Sequence, residues 1–265
     1  CSRHLSKLDF DVLINLHPNE RCSFIDAMTS VKLRTGTTHK IFKWFWDVFT
    51  PLDRSMHAAD MYLDVLQQLG VQDLSNNGLE IFPGEEHFLE AELFWQEQNI
   101  TDQDKLIGFN IGSAVPTKRW PPERFAEVAD IFAAKGYKTV FFGGPMDEEM
   151  VAEATGYMQT RPIIATGHFA IGGLAAAMRR CCLIITNDSG PMHVAISQKV
   201  PIVAMYGPSN PKLYGPYTKD AVIVTAQPPC QGCADGMKHS CDDLQCMSRM
   251  TVEQVVAAAG EMLEK

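Results

Sequence analysis

At 265 residues, with 46% hydrophobic and 21% charged side chains, the chain is long enough to bury one large or two small cores, and its composition excludes disorder. Its 23 basic and 32 acidic residues give a formal charge of −9. That excludes a broad nucleic-acid footprint, which needs clustered Lys and Arg to displace counterions, so any phosphate must be met in a local pocket. No apolar run reaches the roughly 20 residues that span a bilayer, and the first residues lack the apolar stretch of a signal peptide, so a cytoplasmic location is expected. The chain begins with Cys rather than Met and is expected to lack its natural start.

Residues 11–16 read as a strand, 23–30 as a helix and 60–69 as a helix ended by Gly70. Together they resemble the latter part of an α/β domain, assigned to residues 1–100. Between them Phe42, Trp44, Phe45, Trp46 and Phe49 are interspersed with Lys40 and Lys43. Such a run either touches a membrane surface or a lipid-linked acceptor, or packs between domains, and packing is the simpler reading. The polar stretch 96–105 is the linker candidate.

From Leu106 onward, β-rich runs at 106–110, 138–142, 162–165, 182–186, 201–206 and 221–225 alternate with helical patterns. This alternation predicts a parallel sheet wound with helices, a complete Rossmann-like domain over residues 101–265. Pro121 and Pro122 open the first crossover helix, Phe125, Val128, Ala129 and Phe132 recur at helical spacing, and Gly136 stops it. Residues 147–157 have an acidic first turn, and Ile171, Leu174, Ala175 and Met178 share one face of the next helix. An amphipathic helix over 251–263 closes the chain. The predicted fold class is α/β, with two Rossmann-like domains and parallel sheets, the N-terminal one incomplete.

Ligands of an open parallel sheet bind beyond the carboxyl ends of its strands, so the residues following each strand define the candidate site. The segment Asn187-Asp188-Ser189-Gly190-Pro191-Met192-His193 joins a strand to a helix opened by proline. Helix N-termini attract anions, so Ser189 and Gly190 can cradle a diphosphate, with His193 in the first turn. Asp188 repels phosphate and is better suited to accept from a ribose or sugar hydroxyl. The plainer alternative is an N-capping turn with a surface histidine. Lys118 and Arg119 follow the first strand, beyond Gly112 and Ser113, at the same sheet edge. Lys118 can neutralise a leaving diphosphate, whereas Arg119 and Trp120 read as a solvated cation and a hydrophobic staple.

No G-x-G-x-x-G follows a strand and no G-x-x-x-x-G-K-[ST] occurs, which removes the main support for dinucleotide oxidoreductases and P-loop enzymes. The Asp-x-Asp pairs at Asp9–Asp11 and Asp102–Asp104 precede strands and read as capping or solvated acids. Of eight cysteines, Cys230, Cys233, Cys241 and Cys246 cluster near His239. They can close a structural zinc site, or lie as reduced thiols under a C-terminal loop; a catalytic metal is not expected and no cofactor is required.

With these residues in view, the chain resembles glycosyltransferase family 9, the ADP-heptose:lipopolysaccharide heptosyltransferases. Residues 187–195 look like the family's Asp-Ser/Thr-Gly-x-x-His motif, Lys118-Arg119-Trp120-Pro121 followed by Glu123-Arg124-Phe125-Ala126 like its donor-phosphate lysine segment, and residues 230–255 like its cysteine-bearing tail. The Lys-Arg-Trp-Pro form leans toward members that add the second heptose. The resemblance implies the GT-B architecture, an acceptor side in the N-terminal domain and a donor site in the C-terminal one. It implies that Lys118 contacts the diphosphate with Ser113 nearby, that Asp188, Ser189, Gly190 and His193 hold the ADP-sugar, and that Asp147 matches a less regular acidic position. It further implies an inverting transfer from ADP-heptose to a lipid-linked lipopolysaccharide core acceptor at the inner face of the cytoplasmic membrane, with peripheral membrane contact. The family's general base is an aspartate in a segment ahead of the residues that align. A GT-B nucleotide-sugar epimerase, a truncated nucleotide-binding homologue and a metal-stapled interaction module are the alternatives.

Overall fold

A computed structural model of the chain describes residues 1–17, 19–38, 40–51, 53–226, 241 and 243–265. The chain divides into two compact units, residues 1–76 with 212–214, and residues 77–211 with 215–265. The division falls earlier than the polar stretch at 96–105, for a physical reason. Ala91, Phe94 and Trp95 of helix Glu85–Glu97 are buried in the core of the second unit, so this helix opens that unit rather than closing the first.

The first unit carries a three-stranded parallel sheet in the order β1 (Val12–Asn15), β2 (Leu33–Thr38), β3 (Val48–Pro51). After a short first helix, α1 (Ser2–Leu5), the crossover helix α2 (Glu20–Ala27) is capped by Asn19, whose Oδ1 accepts from the Cys22 N–H at 2.8 Å. Helix α3 (Ala58–Gln68) starts at His57, whose Nδ1 accepts from the Ala59 N–H at 3.1 Å, and it buries Ala58, Met61 and Val65 at helical spacing. Strands β2 and β3 are absent from the sequence reading. Leu-Arg-Thr-Gly-Thr-Thr has no apolar alternation, yet Thr35 and Thr37 are buried. Gly36 belongs there because a Cβ would overlap the Asn15 carbonyl oxygen of the adjoining strand.

The second unit carries a six-stranded parallel sheet in the order β6-β5-β4-β7-β8-β9, with β4 at Leu106–Asn110, β5 at Lys138–Phe142, β6 at Ile163–Ile164, β7 at Cys181–Asn187, β8 at Ile202–Met205 and β9 at Ala221–Val224. Edge strand β6 is shorter than expected, pairing only through Val140↔Ile163 and Phe141↔Ile164. The sheet buries both faces. Ile107, Phe109, Phe141, Ile185 and Val203 join one core with Phe125, Val128 and Phe132 of helix α5 (Pro122–Ala134) and Val255 and Ala259 of the closing helix (Val252–Leu263). Leu106, Val140, Phe142, Ile184 and Ile202 point the other way, onto α4 (Glu85–Glu97), α7 (Ile171–Met178) and α8 (Gly190–Ser197). The period-two alternation of a strand produces this split, and each large apolar side chain so buried contributes roughly 1.5–3 kcal/mol. Helix α6 (Glu148–Tyr157) follows β5. The remaining helices are α9 (Pro211–Tyr214), α10 (Gln245–Ser248) and α11, the closing helix, whose Thr251 and Gln254 form a reciprocal capping box.

Candidate donor site at the strand ends of the second unit

The carboxyl ends of β4, β7 and β8 are neighbours in the sheet, and their loops meet through side chains. Asn187, the last residue of β7, is fully buried. Its Nδ2 donates to the Ile111 carbonyl at 2.7 Å and its Oδ1 accepts from the Trp120 N–H at 3.0 Å, so one amide staples both ends of the loop that carries Lys118. Trp120 is itself anchored, its Nε1–H donating to the Met250 carbonyl at 3.1 Å and its ring meeting Phe125 edge-on at 5.1 Å. Packed on Phe125, the fourth residue of the helix that Pro121 caps, Trp120 is the expected hydrophobic staple, and at 1% exposure it is also a core residue. Arg119, expected to be solvated, donates through Nε to the Ser113 carbonyl at 2.8 Å and holds the same loop closed.

Lys118, placed on a short 3₁₀ turn (Pro116–Lys118), donates through Nζ to Asp188 Oδ2 at 2.7 Å. The side chains are 17% and 7% exposed, so water screens the pair little. The sequence reading gave Asp188 a ribose or sugar hydroxyl as its partner; in the structure its carboxylate is the partner of Lys118. The same Oδ2 accepts from the Ser209 hydroxyl, and Oδ1 accepts from Tyr206 Oη at 3.3 Å. Burial first, and then the neighbouring Asp188 carboxylate, push the Tyr206 hydroxyl well above the ordinary tyrosine value, so it remains a neutral donor.

Ser189 is the N-cap of α8 and Gly190 its first residue, with Pro191 next. Asn110, the last residue of β4, donates through Nδ2 to Ser189 Oγ at 2.7 Å and to Thr186 Oγ1 at 3.1 Å. Ser113 Oγ donates to the Asp188 carbonyl at 3.3 Å, tying the lysine loop to the helix start. A Cβ on Gly190 would meet nothing within 4 Å, so open space lies beside the helix N-terminus. His193 lies half-buried one turn further along.

Asp147 does not join the ion pair: its Oδ2 accepts from the Gly144 N–H at 2.9 Å, and its carboxylate occupies the space that a side chain on Gly112 would need. The structure therefore brings together Ser113, Lys118, Asp188 and Ser189 and sets Asp147 beside them across Gly112. Sequence reasoning placed Asn187 and Ser209 in the loops of the candidate site but gave them no role, and it missed Asn110 and Tyr206. Their position at or just after strand ends was visible, but asparagine and serine there also read as ordinary turn residues.

Of the cysteine cluster, Cys230 and Cys233 lie outside the described residues, as does His239; Cys241 is exposed and Cys246 buried. Among the described residues no group of three or more His, Cys, Asp or Glu could hold a metal ion. The aromatic run does not act as one face, since Trp46 is buried over Gly36 whereas Trp44 is 82% exposed. No helix among the described residues is long and apolar enough to cross a membrane.

The family model described as glycosyltransferase family 9 (heptosyltransferase) matches residues 1–241. A solved family 9 glycosyl transferase from Veillonella parvula aligns with a TM-score of 0.90 at 51% identity, over 99% of this chain and 76% of that one. The ADP-heptose LPS heptosyltransferase II of E. coli aligns with a TM-score of 0.78 over 99% of this chain and 79% of that one; at 22% identity this is likeness of fold, the GT-B type with parallel sheets. Lipooligosaccharide heptosyltransferase 2 of Haemophilus ducreyi is 34% identical over 139 residues, 49% of this chain and 40% of the relative, so that match spans less than half of the curated relative's length. With the family model matching most of its residues and a solved family 9 structure aligned along nearly all of it, the chain belongs to glycosyltransferase family 9.

Proposed function

We propose that the second unit binds an ADP-sugar at the Lys118–Asp188–Ser189 cluster, and that the whole protein transfers a heptose from ADP-heptose to a lipopolysaccharide inner-core acceptor with inversion. The observation that carries this reading is a lysine ammonium paired with the buried Asp188 just before a helix N-terminus that opens onto free space. Both features favour an anion there, and both are in place before it arrives.

In a direct displacement the bond from the anomeric carbon to the diphosphate oxygen breaks as the acceptor oxygen attacks from the opposite face. Negative charge grows on the departing diphosphate. Lys118 spends one of an ammonium's three N–H donors on Asp188, leaving the others for phosphate oxygens. The N-terminus of α8 stabilises the same charge. Asp188, already engaged by Lys118, Ser209 and Tyr206, acts chiefly as the organiser of the lysine. The general base for the acceptor hydroxyl is assigned to none of these residues. The first unit serves as the acceptor side, working at the inner face of the cytoplasmic membrane where a lipid-linked acceptor is presented.

Calorimetric titration of the chain with ADP, UDP and GDP tests the donor assignment. The expected result is preferential ADP binding that Lys118→Ala weakens by roughly ten- to a hundredfold, the loss of a charge-assisted hydrogen bond. Absence of binding to all three nucleotides overturns it, and epimerised sugar formed from a nucleotide sugar without acceptor points to the epimerase instead.

A further inference from the structure

The space beside Gly190 is open, whereas Ser209 lies in the loop after β8 and is 1% exposed. Its hydroxyl nevertheless donates to Asp188 Oδ2, the oxygen that also accepts from Lys118 Nζ at 2.7 Å. The loop that carries it is backed by the C-terminal segment: Gly207 has no room for a Cβ because Met247 and Cys246 fill that space. Asp188 thus sits at the junction of three neighbouring strand ends, with the lysine arriving from the β4 side and the serine from the β8 side. Tyr206 steadies only the other oxygen, at 3.3 Å.

We propose that Ser209 is a positioning residue of the donor site, acting through Asp188 to fix the Lys118 ammonium. The inference rests on the donor-site reading given above. Without Ser209 the carboxylate would keep one buried anchor, the long 3.3 Å bond from Tyr206 to Oδ1, and Oδ2 would answer to the mobile lysine alone about a terminal torsion that is broad and roughly two-fold. Anchoring Oδ2 from the buried side removes that freedom, so the ammonium is already aimed when the diphosphate enters. A preorganised charge costs no reorganisation on binding, and this is what makes it effective.

A double-mutant cycle on ADP affinity tests this, using the full chain, with Ser209→Ala, Lys118→Ala and the pair, each checked for folding by its melting midpoint. Ser209→Ala is expected to weaken ADP binding about tenfold with Lys118 present and not measurably with Lys118 already removed, the non-additivity expected of residues acting as a unit. Ser209→Cys, similar in size but a weak donor, is expected to show a loss in the same direction and serves if the alanine variant does not fold. An equal loss with and without Lys118 marks a general structural role and overturns the proposal, as does no loss at all. Failure of the unsubstituted chain to bind ADP is a separate result and overturns the donor-site reading itself.

Discussion

Lys118 Nζ and Asp188 Oδ2 lie 2.7 Å apart across 70 residues of sequence, and both side chains are largely withdrawn from water. Removing either member leaves the other's polar groups to be satisfied elsewhere. Lys118→Ala leaves a carboxylate still bonded to Ser209 and Tyr206; Asp188→Ala removes the carboxylate to which both hydroxyls donate. Each substitution is expected to destabilise the second unit by about 1–3 kcal/mol. The double variant is expected to lose less than the sum, by roughly 0.5–3 kcal/mol, in urea denaturation. Strict additivity would show that the pair contributes nothing of its own.

Asn187 presents one donor and one acceptor to two backbone groups, at 2.7 and 3.0 Å. Asn187→Asp keeps the acceptor for the Trp120 N–H but turns a carboxylate oxygen toward the Ile111 carbonyl in a fully buried site. A loss of at least about 1–3 kcal/mol is expected, the cost of an unsatisfied buried group, and the lysine loop it staples should weaken ADP binding in parallel. Unchanged denaturation midpoints for this variant would contradict the staple.

Two glycines at the same edge should respond in opposite ways. On Gly112 a Cβ would overlap the Asp147 carboxylate, which is bonded to the Gly144 N–H, so Gly112→Ala is expected to lower the melting midpoint and Asp147→Ala to restore part of it. On Gly190 a Cβ meets nothing within 4 Å, so Gly190→Ala should leave the midpoint in place and reduce ADP affinity several-fold by filling ligand space. A Gly190→Ala variant that binds ADP unimpaired would move the diphosphate away from this helix start.

Asp26 of α2 is buried, and desolvation raises its carboxyl above 3.8, outweighing the Asn15 hydrogen bond and the Arg34 charge that act against it. A carboxyl whose folded value is raised favours folding while both states are protonated, and that contribution is lost as pH rises through the folded value. Asp26→Asn keeps an acceptor for Asn15 and has no charge to desolvate. The variant should therefore match the parent near pH 3 and melt progressively higher than it as pH rises to about 7. A difference independent of pH would show that the carboxyl is not destabilised by burial.

The sequence by itself determined the sheet of the second unit and its crossover helices from Leu106 onward, though not helix Glu85–Glu97, which opens the unit. Its central strands β4, β7 and β8 are buried on both faces, so they read as continuous apolar runs, and the helices between them carry their own start and stop signals; helix Pro122–Ala134 lies within a residue or two of the bounds set by Pro122 and Gly136. The loops after the strands were equally legible, because an open parallel sheet puts its ligands there. Less was legible in the first unit, where β2 and β3 carry strand-favouring Thr, Val and Phe but no apolar alternation to mark a buried face, and where Thr35 and Thr37 are nevertheless buried. Only the tertiary structure could decide the partners within the site. That Asp188 holds Lys118, that Asn187 staples the loop around Trp120, and that Ser209 and Tyr206 back the carboxylate all depend on the sheet order, which sets β4 and β8 on either side of β7. Hydrogen bonds between residues far apart in the chain leave no periodicity to read; they exist only once strand pairing has brought the loops together.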